Sequence, residues 1–150
     1  MGLVEVVEWM RIEDDEGKGL DRELVDLPDA VVIAGGLSPD PSGISTLDFV
    51  EGIYAAGGKG YFDALNYHHY AFPNIPTVDP LAAIHAVMVA NGDGHKKIWI
   101  TEAGAPTGTG SYAVTEQVQA DTIVAILTQA AENSYIGPVY LYTITDTGTD

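Results

Sequence analysis

Glu102 is the residue whose position most invites a chemical role. It closes the apolar run Lys97-Ile98-Trp99-Ile100-Thr101 and precedes Ala103-Gly104-Ala105-Pro106. A carboxylate at the end of a buried apolar run is costly unless something there needs it. The alternatives are a functional carboxylate and a structural one that accepts from nearby backbone or loop amides, and placement does not choose between them. His68, His69 and Tyr70 follow a second apolar run in the same way, and Asp146 lies at the end of another. Two chemistries suit such a set. One uses the carboxylate directly. The other makes His68, His69, Glu102 and Asp146 metal ligands, as in barrel metallohydrolases. Against the metal, neighbouring residues on a strand point to opposite faces, and no His-x-His pair is present. Packing then accounts for one histidine, with the other exposed.

Tyr67, Tyr70, Trp99, Tyr140 and Tyr142 lie near the same run ends. Core packing explains Trp99 and some of the tyrosines. For Tyr70 and Tyr142, stacking against the C–H face of a sugar is an equal alternative. Thr107-Gly108-Thr109-Gly110 is an ordinary polar loop rather than a phosphate cradle, because no Gly-Lys-Ser/Thr follows it.

These residues need strands to carry them. Ala30–Ala34 is a continuous apolar run ending at Gly35-Gly36, the pattern of a strand buried on both faces. Ser45 is placed as an N-cap for a helix with Leu47, Val50 and Tyr54 on one face, stopped by Gly57-Gly58. Tyr61–Tyr67 reads as the next strand. Asp79-Pro80 reads as a helix start, with Leu81, Ile84 and Met88 inward and Asn91-Gly92 at the end. Lys97–Thr101 is a third strand. Thr115 caps a long helix with Val118, Ile123, Leu127 and Ala130 inward, and Pro138–Ile144 is a fourth strand. Alternation of this kind demands parallel strands with right-handed crossovers. Glu102, His68, Tyr70 and Asp146 then share the carboxyl-end rim, where sites form in parallel α/β folds. Residues 1–29 fit less well: Leu3–Trp9 could be one more strand, Asp14–Gly19 an exposed turn, and Asp21–Leu27 a short helix.

The bulk properties narrow the partners. The chain has 150 residues, 46% hydrophobic and 19% charged, in keeping with one globular domain. Asp and Glu number 22 against 6 Lys and Arg, a formal charge of -16. Nucleic acid and anionic membranes are poor partners for such a surface, and neutral or cationic molecules suit it. With no cysteine, disulfides, thiolate metal sites and cysteine nucleophiles are excluded. No apolar run approaches the ~20 residues that span a bilayer. Met1–Glu5 lacks a basic stretch, so no signal peptide is expected, and the compartment stays open.

At this point the residues resemble a known group. Trp99-Ile100-Thr101-Glu102-Ala103-Gly104-Ala105-Pro106-Thr107 resembles the seventh-strand nucleophile motif of clan A glycoside hydrolases, and is most similar to cellulase-like and xylosidase-like members. Phe62–Tyr70 is similar to their sixth strand, which ends His-Pro-Tyr. Here His68 and Tyr70 match, and His69 replaces the proline. Ala30–Ser38 resembles the fifth strand and Val139–Asp146 the eighth, and Gln119-Ala120 fits the start of the seventh helix. The resemblance implies an α/β fold, a partial (half) TIM barrel of four to five parallel strands, with residues 30–150 as strands five to eight. It implies a retaining reaction on β-linked glycosides, with Glu102 as nucleophile and no cofactor or metal. Asn66, His68, Tyr70, Tyr142 and Asp146 are then expected to orient Glu102 or bind sugar.

One part of the family pattern is missing. The acid/base of that family is a Glu after Asn at the end of the fourth strand, and this sequence contains no Asn-Glu pair. If Val4–Trp9 is a degenerate fourth strand, Met10-Arg11 stands at the pair's position, leaving Glu8 or Glu13 as substitutes. Half a barrel cannot close. Its open edges invite pairing, so the expected partner is another copy of the chain or a missing N-terminal half. A non-catalytic carbohydrate-binding or assembly protein derived from a glycosidase is the alternative.

Overall fold

The computed structural model of the chain describes residues 31–39 and 43–143. The expected strand Leu3–Trp9, the helix Asp21–Leu27 and the site candidate Asp146 lie outside the described residues. Apolar runs and amphipathic stretches alternate along the remainder, and the elements follow them. They are β1 (Ile33–Leu37), α1 (Thr46–Ala55), a 3-10 turn (Gly58–Tyr61), β2 (Ala64–His69), α2 (Asp79–Ala90), β3 (Lys97–Ala103), α3 (Glu116–Glu132) and β4 (Ile136–Leu141).

The strands lie side by side in chain order, and every neighbouring pair is parallel. Right-handed crossovers between consecutive strands put all three helices on one face. A doubly wound sheet would reverse its strand order part-way and cover both faces. The helix-side core joins Leu65, Tyr67, Ile98, Ile100 and Ala103 of the sheet to Val50, Ile53, Leu81, Ile84, Met88 and Ile126 of the helices. Each Leu, Ile, Val and Met among them contributes ~1.5–3 kcal/mol by leaving water, enough in sum to fix which face the helices cover. On the other face Asn66, His68, Trp99, Thr101 and Glu102 are half-buried and Tyr140 is exposed.

Local chemistry sets the element ends. Ser45 Oγ accepts from Asp48 N at 3.1 Å and donates to its carboxylate at 2.7 Å, and Thr115 Oγ1 accepts from Val118 N at 3.2 Å. Both are helix N-caps as the sequence predicts. Gly57 follows α1 at φ 83°, a backbone conformation that favours glycine. Helix α2 differs from expectation: Val78 is its N-cap, and Asp79 is the first helical residue, accepting from the Thr77 hydroxyl at 3.1 Å.

Three strands are also displaced from their expected bounds. β1 runs through Gly35-Gly36 instead of stopping there, so that Leu37 can fill the helix-side core. β2 starts at Ala64 because Gly58–Tyr61 forms a 3-10 turn, and β4 starts two residues earlier than Pro138. In α3 the buried residues are Thr122 and Ile126, while Leu127 is 48% exposed. Ala130 packs against the core as expected, but Thr122 and Ile126 take the buried places expected of Ile123 and Leu127.

The amino-end side of the sheet is closed by a polar cluster. Asp93, between α2 and β3, is 1% exposed. Its carboxylate accepts from Tyr54 at 3.1 Å and Lys96 at 2.9 Å, with Lys59 at 3.9 Å. Lys96 also lies 4.4 Å over the Phe62 ring.

Candidate functional site

A regular ladder would not bring Glu102 to the open face together with Thr101, because adjacent strand residues alternate. β3 resolves this with one extra residue. Asn66 pairs with Trp99 and Tyr67 with Ile100, but His68 pairs with Glu102. Thr101 is the residue passed over. Its hydroxyl donates to Asn66 Oδ1, which places it on the open face too. Such a bulge re-aims a side chain, and here it sets Glu102 beside His68 on the neighbouring strand. A second irregularity in β1 pairs Gly36 with Asn66. A Cβ at Gly36 would stand 2.4 Å from His68 Nε2, so the missing side chain is the space the imidazole occupies.

The result is a carboxylate held from one side. Tyr70 OH donates to Glu102 Oε2 at 3.2 Å, and His68 Nδ1 lies 3.5 Å from the same oxygen. Among the described residues Oε1 has no protein partner, and the Glu102 side chain is 38% exposed. Burial first, then the neighbouring Glu102 carboxylate, raises the Tyr70 pKa well above the usual phenol value. Tyr70 therefore stays a protonated donor throughout the neutral range.

The remaining candidates divide. Asn66 sits one layer deeper on the open face and is engaged by Thr101. Tyr142 lies just past β4, exposed, with its N–H donating to Ala103 O at 2.9 Å; its phenol is close enough to add to the upward push on Tyr70. Trp99 and Tyr140 stack on the open face with centroids 6.4 Å apart. Glu102, His68, Tyr70 and Tyr142 thus come together at the carboxyl-end rim. Gly36 and Thr101 were not among the sequence candidates. The glycine pair inside an apolar strand was the available signal for Gly36, whereas Thr101 had none.

His69 settles the metal alternative for itself. It points to the helix side, 1% exposed, with Nε2 3.0 Å from Gln129 Oε1. Gln129 Nε2 donates to Pro76 O at 2.7 Å, so its Oε1 is the acceptor and His69 Nε2 carries the proton. Burial lowers the His69 pKa, with the Gln129 bond opposing. The ring cannot share a metal with His68 on the opposite face. Among the described residues no group of three or more His, Asp or Glu is arranged to hold a metal ion.

No family model and no curated protein matches this sequence. Among solved structures, the chain is similar to a GH128 (subgroup III) curdlan-specific exo-β-1,3-glucanase from Blastomyces gilchristii, solved in complex with glucose, at a TM-score of 0.53 and 19% identity. The match covers 75% of this chain and 46% of that enzyme. With strand order and one-sided helices already in hand, the likeness decides the architecture. The chain has the fold of half a (β/α)8 barrel. At 19% identity it speaks for the fold alone. The half barrel spans less than half the length of the enzyme it resembles.

Proposed function

We propose that this half barrel carries the nucleophile side of a retaining β-glycosidase site of the clan A kind, with Glu102 as nucleophile. The observation that carries the reading is the asymmetry of that carboxylate. Oε2 is held by Tyr70 and approached by His68, while Oε1 is presented at the strand-end rim. Oε1 would attack the anomeric carbon as the glycosidic C–O bond breaks. Water would then release the sugar from the glycosyl-enzyme ester. Tyr70 and His68 hold the carboxylate in place, and Tyr142 flanks the sugar. The neighbouring glucanase, by its name an enzyme of β-1,3-glucan, supports a neutral β-linked substrate.

The reaction also needs a carboxylic acid ~5–5.5 Å from the nucleophile to protonate the leaving oxygen. Among the described residues no carboxylate is in hydrogen-bond contact with Glu102, and the reading places the acid on chain outside them or on a second polypeptide at the open face. That same observation favours a second reading, a carbohydrate-binding protein that has lost turnover, since general acid catalysis is worth ~10²–10⁴-fold.

Aryl β-glycosides, whose leaving groups need little protonation, test the proposal. Chromophore release by the wild type, lost in Glu102→Gln, together with a glycosyl adduct mapped to the peptide holding Glu102, is the expected result. Equal background rates without an adduct would leave binding only.

A further inference from the structure

Tyr70 reaches Glu102 from a loop, not from a strand. β2 ends at His69, and α2 begins only at Asp79. Tyr70 N donates to His68 O at 3.1 Å, which turns the chain off the sheet at once. Asn74 N donates to Ala71 O at 2.8 Å, a turn inside the loop. Phe72 packs on the Tyr70 ring with centroids 5.0 Å apart, but it belongs to the same loop and would travel with it. Segments with few backbone bonds open easily. A hydroxyl that must stay within hydrogen-bond reach of one carboxylate oxygen needs a firmer anchor.

One side chain supplies it at both ends. The half-buried Gln129 of α3 accepts from His69 Nε2 at 3.0 Å, where the loop begins, and donates to Pro76 O at 2.7 Å, where it finishes. The residues on either side of His69 are the two that meet Glu102 Oε2. The His69 ring is itself fixed by packing on Tyr67, with centroids 5.6 Å apart. A primary amide is the group this place requires, because it accepts and donates from one carbon. A carboxylate there would lose the Pro76 bond, and an ammonium would lose the His69 bond. Gln129 meets His69 on the helix side of the sheet, whereas Glu102 faces the open side, so a ligand at Glu102 does not touch it.

We propose that Gln129 is a positioning residue for Glu102. By clipping both ends of residues 70–76 it sets the Tyr70 hydroxyl against Oε2, and Oε1 is left aimed at the rim. Its effect on rate rests on the proposed role of Glu102, while its effect on Tyr70 does not.

The test compares the full chain with Gln129→Met, which keeps the side-chain length and removes both bonds, with Tyr70→Phe, and with the double variant. Aryl β-glycoside kinetics and the Tyr70 and His68 ring signals in NMR are the readouts. Gln129→Met is expected to lower kcat at least about tenfold, as misplacement does, with KM changed by less than about twofold. It is also expected to shift both rings and to leave the Asp93 amide in place. Added to Tyr70→Phe it should cost nothing further, since residues that act as a unit are not additive. Gln129→Glu still accepts from His69 and releases Pro76 alone, so it should move the same signals by less. If Gln129→Met does not fold, Gln129→Glu is judged by the same criteria. Losses that multiply in the double variant, or rings that stay in place, overturn the proposal. Glu102-dependent release with an unchanged kcat in Gln129→Met also overturns it and leaves the Glu102 reading standing. Rings that shift in a chain without any Glu102-dependent release keep the positioning and overturn the glycosidase reading.

Discussion

Two carboxylates in this chain are built from similar parts and end up in opposite conditions. Asp93 lies on the amino-end side of the sheet with a tyrosine hydroxyl and two lysines, its side chain 2% exposed. Glu102 lies on the carboxyl-end side with a tyrosine hydroxyl and a histidine, its side chain 38% exposed. Both oxygens of Asp93 are engaged, whereas among the described residues the contacts to Glu102 fall on Oε2 alone. The difference teaches what separates a fully engaged anion from one that keeps an open side. Tyrosine partners raise no distinction, since burial and the adjacent carboxylate push both Tyr54 and Tyr70 upward. The distinction lies in whether lone pairs remain for a ligand.

The sharpest way to break this comparison is to remove each carboxylate. Asp93→Ala leaves the Lys96 ammonium beside a buried void, and stability is expected to fall by ~3–5 kcal/mol in urea titration. Glu102→Ala is expected to cost under ~1 kcal/mol, as at a half-exposed position with few contacts. Equal losses would mean that Glu102 is as structural as Asp93.

A smaller effect sharpens the rim's side of the contrast. Gly36→Ala drives a methyl into the His68 ring, and a cost of ~1–3 kcal/mol is expected, with displaced His68 ring signals in NMR. Gly35→Ala, whose Cβ would meet nothing within 4 Å, is the control and should be neutral or stabilising by up to ~1 kcal/mol. Matching behaviour of the two variants would show that Gly36 reserves no space.

The smallest effect concerns pH. His69 has its folded pKa lowered below 6.5, chiefly by burial. Its contribution is complete above 6.5, where both states are neutral. As pH falls below that value the unfolded chain takes up the proton first, and the contribution drains away until the folded ring also titrates. Thermal melts of wild type and His69→Gln should therefore converge as pH drops from 7 towards 5. Parallel curves would put the acid sensitivity elsewhere, in the carboxylates.

Most of the architecture could be read from the chain because the alternation of apolar runs and capped amphipathic stretches is a local signal. Ser45, Thr115 and the Gly57 stop act within one turn, and each lies where the sequence places it. Glu102, His68 and Tyr70 could be read as neighbours because all three end strands that pair. What escaped was register. The bulge at Thr101 depends on how β3 meets β2, which no single stretch encodes. The His69–Gln129–Pro76 relay spans 60 and 53 residues of chain, and Gln129 in a sheet-facing position disguised the true stripe of α3. The ring contact of Phe72 with Tyr112 joins loops after two different strands, so no common pattern in the sequence could reveal it.

That relay has a mechanical side. Tyr70 and Phe72 occupy a loop that is braced, through the sheet, against the helix that follows the strand of Glu102. A push on α3 from its outer surface would be transmitted to the loop as a displacement of Pro76. An outward-facing change on that helix could therefore retune the rim without touching any residue of the proposed site.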